Sequence, residues 1–198
     1  MSNIRLILAS SSVYRQELLR RLELPFECIS PKIDESARAG ETPLALSSRL
    51  AREKAQAVRT EHSDAVVIGS DQVCEVEGVA LGKPHTFERA RAQLRLMSGK
   101  KALFHTALCV VDSNGAIQEC VSDTVVQMRP LSDEAIDDYL HREEPYQCAG
   151  SAKIECLGIA LMESVVSDDP TSLIGLPLIR LTSMLAKAGI SPIRGLLP

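Results

Sequence analysis

Side chains of the kind that act on phosphate groups occur at several separate points of this chain. Asp71 follows the apolar run Val66–Ile68, which predicts a buried strand with the acid at its end, and Gln72 comes next. A carboxylate that a rigid strand delivers to a cleft can act as a general base or as a metal ligand. A lone aspartate more often caps a turn, so the cationic residues elsewhere must decide between the two interpretations.

Three cations are candidates to face the same ligand. Arg15 lies in the first turn of a predicted helix, where acidic residues are usual. Its position has two equally weighted interpretations: an anion binds nearby, or the side chain is simply solvated on the helix surface. Lys54 falls on the apolar stripe of another predicted helix, so it either reaches an inner surface or extends past the edge of the core. Lys83 stands beside Pro84, which stiffens the backbone there.

A serine-rich turn after the first predicted strand is a second candidate for binding anions. Ser12 is a plausible N-cap for the helix that follows, and free backbone N–H groups at a helix start attract anions. The next loop carries Asp34 and Glu35, although acidic pairs in loops are most often simply solvated.

The hydrophobic pattern predicts that strands and helices alternate along most of the chain. Strands are predicted over 4–9, 26–30, 66–68, 73–76, 79–81, 102–111, 117–128 and 157–162, with a hairpin turn at Asn114-Gly115. Helices are predicted over 13–24, 42–62 and 86–97, from about 133, and after residue 172 with a break at Gly175-Leu176-Pro177.

Composition limits the class of protein. A chain of 198 residues can bury one substantial core, so we expect a single domain over 1–198. The net charge of −4 argues against a nucleic-acid partner that is bound through a global positive field. Six cysteines without a CxxC pair indicate reduced thiols, and no stretch reaches transmembrane length. We therefore expect a cytoplasmic protein with neither a nucleic-acid nor a membrane partner.

Several motifs together resemble the Maf-like nucleotide pyrophosphatases, in order and spacing, over nearly the whole chain. Each motif is weak by itself, but the ordered set is hard to produce by chance. The motifs are Leu8-Ala9-Ser10-Ser11-Ser12-Val13-Tyr14-Arg15, Asp34-Glu35, Glu53-Lys54-Ala55, Ser70-Asp71-Gln72, Gly82-Lys83-Pro84, Ala149-Gly150-Ser151 and Ile174-Gly175-Leu176-Pro177.

The resemblance implies a fold and a reaction. The fold is α/β, with an elongated mixed β-sheet flanked by helices and two lobes around a deep cleft, as in Maf and Ham1-like proteins. The reaction is hydrolysis of a nucleoside triphosphate to the monophosphate and pyrophosphate with a divalent metal such as Mg, Mn or Co. Family analogy alone suggests a homodimer.

The same resemblance assigns roles to individual residues. Asp71 matches the proton acceptor, and Glu35 matches an acid that helps to hold the metal together with Asp71. The positions that face the triphosphate are Ser10, Ser12, Arg15, Lys54 and Lys83.

Three departures from the usual family motifs bear on the base of the nucleotide. Tyr14 replaces an arginine, Gln72 replaces a threonine, and Glu155 replaces the glutamine of the pyrimidine-specific members. These residues resemble the subfamily that acts on 7-methylguanosine triphosphate, although its aromatic residue is more typically Trp. An aromatic ring attracts a cationic methylated base, and Glu155 can accept hydrogen bonds from guanine donors.

Two alternatives stay open at this point. The same chemistry can serve pyrimidine or other non-canonical triphosphates, in which case Tyr14 and Glu155 pack or face solvent without reading the base. Alternatively, the protein is a nucleotide-binding regulator of cell division that does not hydrolyse its ligand.

Overall fold

The computed structural model describes residues 4–196 as one mixed β-sheet with helices packed on its two faces. The sheet has seven strands in the order β2-β1-β3-β5-β6-β7, and β4 pairs with β3. The strands are β1 (Leu6–Leu8), β2 (Glu27–Cys28), β3 (Val66–Val76), β4 (Val79–Leu81), β5 (Lys101–Val111), β6 (Ile117–Met128) and β7 (Met162–Ser167). The helices are α1 (Val13–Arg20), α2 (Pro43–Glu61), α3 (Phe87–Met97), α4 (Asp133–Glu143) and α5 (Leu178–Lys187).

Strand direction changes within the sheet. The strands β1, β2 and β3 are parallel, because helical crossovers join them, while β3 pairs with β5 and β5 with β6 in antiparallel register. The predicted turn at Asn114-Gly115 joins β5 to β6, and Gly115 has a φ of +85° there. The expected α/β class with an elongated mixed sheet is confirmed.

Two lobes are built on the same long strands. In the first lobe, α1 and α5 cover one face of β1 and of the first half of β3, and α2 covers the other face. In the second lobe, α3 and α4 pack on the second half of β3 and on the start of β5. Strands β3 and β5, each of 11 residues, therefore pass through both lobes.

The cleft lies where one edge of β3 has no neighbouring strand. The parallel partner β1 ends with Leu8 opposite Ile68, and the antiparallel partner β4 ends with Leu81 opposite Cys74. Over the described residues, no strand pairs with this edge between those two points. This interval leaves room for a ligand beside the middle of β3.

The prediction that Asp71 ends a strand is wrong, because Asp71 lies in the middle of β3. Gly69 suggested a strand end, but its actual role is to let α2 approach the sheet. A Cβ atom on Gly69 would lie 2.2 Å from the backbone oxygen of Ala51 and 2.9 Å from the Cβ of Ala55. The glycine therefore marks a close helix-strand contact.

The predicted strand over 157–162 is also wrong. Residues Leu157–Leu161 form a 3-10 helix, and the strand begins only at Met162. Gly158 turns the chain back onto Lys153, since its N–H donates to the Lys153 carbonyl at 3.1 Å. The true strand β7 is an edge strand with exposed valines, so its sequence lacks the uniformly apolar pattern of a buried strand.

Other predicted boundaries agree more closely. The break at Gly175-Leu176-Pro177 is confirmed, because a 3-10 helix over Ser172–Ile174 ends there and α5 starts at Leu178. The first strand and α1 are shorter than predicted, and β2 keeps only two residues of the predicted 26–30. All six cysteines are free. Within residues 4–196, no helix is both long enough and apolar enough to cross a membrane.

Candidate active site

A cavity of about 840 Å³ opens on the unpaired edge of β3 and is lined by both lobes. Most of the predicted site residues lie in its wall. They are Ser12, Tyr14, Arg15, Glu35, Lys54, Asp71, Gln72, Lys83 and Glu155. The cavity therefore collects residues that are far apart in the sequence.

The centre of the cavity holds a charged cluster, which we define as Arg15, Glu35, Lys54 and Asp71. The Lys54 ammonium donates to Asp71 Oδ1 at 2.7 Å and lies 3.0 Å from Glu35 Oε1. Lys54 is 5% exposed and Asp71 is 7% exposed, so both charges are held away from bulk water. Of the two expectations for Lys54, the structure shows the one in which its side chain reaches the inner surface of α2.

Burial raises the pKa of Asp71, although the neighbouring charges of Lys54 and Arg15 act against this rise. The negative charge of Glu35 adds a smaller upward contribution. A carboxylate with a raised pKa is a stronger base than a solvated aspartate, and it remains ionised as long as the pH exceeds that pKa. Asp71 is therefore suited to accept a proton at the cavity floor.

Arg15 joins α1 to the chain segment before α5. Its Nε donates to the carbonyl oxygen of Gly175 at 2.8 Å, and the Ser70 hydroxyl donates to the same oxygen at 3.1 Å. Burial lowers the pKa of Arg15, while the charges of Asp71 and Glu35 oppose this effect. An arginine keeps its charge under these conditions. The unusual basic residue in the first turn of α1 thus faces acids and the cavity.

The start of α1 presents backbone donors to the cavity. Ser12 caps the helix, because its Oγ accepts from the Arg15 N–H at 3.4 Å. The N–H groups of Val13 and Tyr14 precede the first intrahelical bond, which Gln16 makes to the Ser12 carbonyl at 3.1 Å. Two free donors and the positive end of the helix dipole favour an anion at this point.

Ser10 lies behind this turn. Its side chain is buried, its Oγ accepts from the Ser12 N–H at 3.1 Å, and it is absent from the cavity wall. The structure therefore places Ser10 as a support for the turn, while its predicted contact with phosphate stays a prediction.

The second lobe contributes cations opposite the charged cluster. Lys83 is exposed in the cavity wall, as are His85 and Arg89, which the sequence analysis did not single out. His85 has a φ of +63°, a left-handed conformation that few residues other than glycine adopt. Thr86, which lies between His85 and Arg89 in the sequence, caps α3: its Oγ1 accepts a hydrogen bond from the Arg89 N–H at 3.3 Å. Their closeness to Lys83 around a helix cap is the sequence signal that could have identified them.

A second group of side chains, the aromatic cluster, consists of Tyr14, Cys148, Lys153 and Glu155. The Lys153 ammonium lies 6.0 Å from the centre of the Tyr14 ring. Burial and the neighbouring Cys148 raise the pKa of Tyr14 to about 12, so its hydroxyl stays protonated at neutral pH. Glu155 is exposed in the cavity wall and has no hydrogen-bond partner among the described side chains. Cys148 carries no motif of its own, so its place in the cavity wall could not be predicted from the sequence.

Gln72 is partly occupied by the protein itself. Its side-chain nitrogen donates to Thr106 Oγ1 at 2.9 Å and lies 2.9 Å and 3.1 Å from the carbonyl oxygens of Ser172 and Leu173. An amide nitrogen has two hydrogens, so none remains for a ligand. Only the Gln72 carbonyl oxygen is available to contact a base, and it can only accept hydrogen bonds.

The side chains at the cavity floor fit a divalent cation that arrives with a phosphate ligand. Glu35 and Asp71 offer hard oxygen atoms on either side of Lys54. Among residues 4–196, no group of three or more His, Cys, Asp or Glu side chains could hold an ion alone. Mg²⁺ commonly binds through one or two carboxylates and completes its coordination with water and substrate phosphates. The set of donor atoms is compatible with that mode of binding.

Comparison with known sequences places these features in a family. A family profile described as Maf-like protein matches residues 5–188, which is nearly the whole described chain. This chain belongs to the Maf family. The match spans both lobes, the charged cluster and the aromatic cluster, so the resemblance drawn from the motifs is confirmed.

Close relatives share nearly the full length of this Maf-family chain. A Bordetella avium protein named 7-methyl-GTP pyrophosphatase is 57% identical over 192 residues, 97% of each chain. A Cupriavidus metallidurans protein of the same name is 55% identical over 185 residues, 93% of each chain. A solved structure of a HAM1 protein from Coxiella burnetii matches at a TM-score of 0.43 with 20% identity, covering 63% of this chain and 73% of that chain.

Proposed function

We propose that this protein is a nucleoside triphosphate pyrophosphatase that hydrolyses 7-methyl-GTP to 7-methyl-GMP and pyrophosphate. The observation that carries the proposal is the buried contact between Lys54 and Asp71 at 2.7 Å, in the same cavity as Tyr14 and Glu155. Relatives at 57% and 55% identity bear the name 7-methyl-GTP pyrophosphatase, which supports this choice of substrate.

In the proposed reaction, water attacks the α-phosphorus and pyrophosphate is the leaving group. Asp71 accepts a proton from the water as its oxygen bonds to phosphorus, and the bond from phosphorus to the bridging oxygen breaks. The electron pair of that bond leaves with pyrophosphate. Lys54 already donates to Oδ1 of Asp71, which orients the carboxylate and leaves Oδ2 for the water.

Positive groups on two sides of the cavity stabilise the charge that develops on the leaving pyrophosphate. Arg15 and the free N–H groups at the start of α1 come from the first lobe, while Lys83 and Arg89 come from the second. Because the second-lobe cations are exposed, they can adjust to the phosphate chain as it binds.

The base is recognised by the aromatic cluster. Methylation at N7 gives guanine a positive charge, which stacks favourably on an aromatic ring such as Tyr14 by about 0.5–2 kcal/mol. Glu155 accepts hydrogen bonds from the base, and the free carbonyl oxygen of Gln72 accepts another. The Glu155 carboxylate and the Gln72 carbonyl oxygen are both acceptors, and two acceptors match the N–H donors of a guanine edge better than the mixed edges of pyrimidines.

We propose Mg, Mn or Co as the divalent metal, bound by Glu35 and Asp71. Such a cation neutralises phosphate oxygens and orients the triphosphate. The protein residues hold it at the cavity floor, where Lys54 fixes the relative positions of the two carboxylates. The proposal also includes a cytoplasmic location, which the six free cysteines support. It includes a homodimer as well, which is based on family analogy alone.

A substrate panel tests this function. Purified protein with Mg²⁺ or Mn²⁺ is incubated with 7-methyl-GTP, GTP, UTP, CTP and dTTP, and both pyrophosphate and monophosphate are measured. We expect equal amounts of the two products and the highest kcat/KM for 7-methyl-GTP. Release of orthophosphate alone would refute the reaction, a higher kcat/KM on a pyrimidine triphosphate would refute the substrate, and binding without turnover would indicate a regulator.

A further inference from the structure

Glu35 is the one member of the charged cluster that lies outside a helix or strand. It sits in the segment 29–42, which joins β2 to α2 without regular structure. Long irregular segments are where a chain most often adopts several conformations. Nevertheless, Glu35 Oε1 lies 3.0 Å from the Lys54 ammonium, although its side chain is 51% exposed. Some other contact must therefore position this segment.

Arg49 on α2 makes that contact. Its Nε and Nη2 donate to the two carboxylate oxygens of Glu41 at 2.6 Å and 2.9 Å, and its Nη1 donates to Glu53 Oε2 at 3.0 Å. The same Nη2 donates to the backbone oxygen of Ser36 at 2.9 Å. The Arg49 side chain is only 13% exposed and that of Glu41 only 9%, so the pair is largely shielded from solvent. One guanidinium thus joins the helix to both ends of the 36–41 segment.

Further bonds tighten the same segment on either side of Glu35. The Ser36 N–H donates to Asp34 Oδ1 at 2.9 Å, so both residues that flank Glu35 are engaged. The Arg38 N–H donates to Glu41 Oε2, and the Arg38 side chain donates to Glu53 Oε1, each at 2.9 Å. These bonds converge on Glu41 and Glu53, the two carboxylates that Arg49 joins.

We propose that Arg49 is a positioning residue that places Glu35 beside Asp71 for binding of the divalent metal. This inference rests on the proposed function. Arg49 and Lys54 lie on the same helix, so α2 carries both the residue that holds the Glu35 segment and the lysine that Glu35 faces. Only a guanidinium has the planar fork that can bind Glu41 through two atoms while it also bonds Glu53 and a backbone oxygen.

Two measurements on Arg49→Lys test the proposal. Hydrogen exchange followed by mass spectrometry reports the amides of residues 34–41, and Mn²⁺ binding is titrated by electron paramagnetic resonance in the presence of α,β-methylene-GTP. We expect faster exchange over 34–41 and a Kd for Mn²⁺ that rises about 10- to 100-fold, as for other residues that orient metal ligands. In turnover assays, the KM for Mn²⁺ should change more than kcat does.

Arg52→Lys is the matched control, because Arg52 is on the same helix but its hydrogen bonds and ion pair go to Glu119 of β6, away from the 29–42 segment's contacts with Arg49. It should leave both readouts at their wild-type values. Glu41→Gln weakens the same contacts without altering α2. It should accelerate exchange over 34–41 and raise the Kd for Mn²⁺, each by less than Arg49→Lys does. This second variant keeps the test valid if Arg49→Lys does not fold.

The proposal is overturned if exchange accelerates while the Kd for Mn²⁺ stays constant, if neither changes, or if Arg52→Lys has the same effects. These outcomes differ from failure of the proposed function. A protein that does not hydrolyse 7-methyl-GTP would fail the substrate panel, yet exchange and Mn²⁺ binding would still report whether Arg49 positions Glu35.

Discussion

The charged cluster and the aromatic cluster share one cavity but are built in opposite ways. Lys54 and Asp71 are nearly inaccessible to solvent and bond at 2.7 Å, while Glu155 is exposed and the Lys153 ammonium lies 6.0 Å from the Tyr14 ring. The reaction at phosphorus is the same for every triphosphate, so its groups can be fixed in advance. In the proposed function, recognition of the base relies on exposed groups that can rearrange at little cost.

This contrast predicts a steep loss of rate for changes in the charged cluster and modest shifts of preference for changes in the aromatic cluster. Variants in the charged cluster should lower kcat for all substrates alike. Variants in the aromatic cluster should alter the ratio of kcat/KM between substrates.

The largest effect is expected for Asp71→Asn. Removing the general base should lower kcat by about 10²- to 10⁴-fold, while nucleotide binding measured by calorimetry persists. Asp138→Asn is the control, because Asp138 is exposed on α4 and pairs with Arg142 outside the cavity. An Asp71→Asn protein with near wild-type kcat would remove Asp71 from the mechanism.

Lys54→Met should come next, with kcat/KM lower by about 10²-fold, because a charge-stabilising donor is lost. Its pH profile is more informative than its rate. As the proposed general base, Asp71 must be ionised, so activity should fall as the pH drops through the pKa of that residue. Because burial raises this pKa, the acid limb of wild-type kcat/KM should lie above the usual aspartate value of about 3.9.

Loss of the Lys54 charge should move this acid limb to still higher pH, since Lys54 opposes the upward shift. Lys100→Met, which removes an exposed lysine paired with Glu77, should leave the limb in place. An unmoved limb in Lys54→Met would show that another group controls the acid side of the profile.

A smaller effect is expected for the double variant Tyr14→Arg with Glu155→Gln. A stacking energy of about 0.5–2 kcal/mol corresponds to roughly a 2- to 30-fold change, so the ratio of kcat/KM for 7-methyl-GTP over UTP should fall by that factor. Glu163→Gln, an exposed change on β7, serves as the control. Unchanged ratios would favour a site in which neither residue reads the base.

Lys153→Met should give the smallest shift. The ammonium beside the Tyr14 ring repels a cationic base, so its removal should lower the KM for 7-methyl-GTP by roughly 2- to 5-fold, equivalent to about 0.5–1 kcal/mol. We expect little change in kcat or in the KM for GTP. Lys187→Met on α5 controls for the loss of a positive charge. A raised KM would mean that Lys153 instead helps to hold the base.

Sequence alone could identify the charged cluster but not its surroundings. Arg15, Lys54 and Asp71 stand out because a charge in a first turn, on an apolar stripe or after a buried strand departs from the local pattern. The proposed role of Arg49 leaves no such trace, since an arginine on an amphipathic helix looks ordinary until Glu41 and Glu53 are seen around it.

Errors of the sequence analysis have a common cause. The glycine after the run Val66–Ile68 suggests a strand end from local pattern, but Gly69 is small because α2 passes close to it at Ala51. The resemblance marks Gln72 as a specificity residue, but it gives no sign that tertiary contacts with Ser172 and Leu173 occupy the donors of its amide. Long-range contacts of this kind cannot be derived from spacing along the chain.

The two long strands that cross from one lobe to the other also have a mechanical consequence. Strand β3 is paired with β5 from Val67 opposite Val111 to Glu75 opposite Leu103, without a break at the cleft. Opening the cleft like a hinge would bend this paired ribbon and strain its ladder of hydrogen bonds. The continuous ladder therefore resists hinge opening of the cleft, and exposed side chains of the cavity wall such as Lys83 and Arg89 are the groups that can adjust to a ligand at least cost.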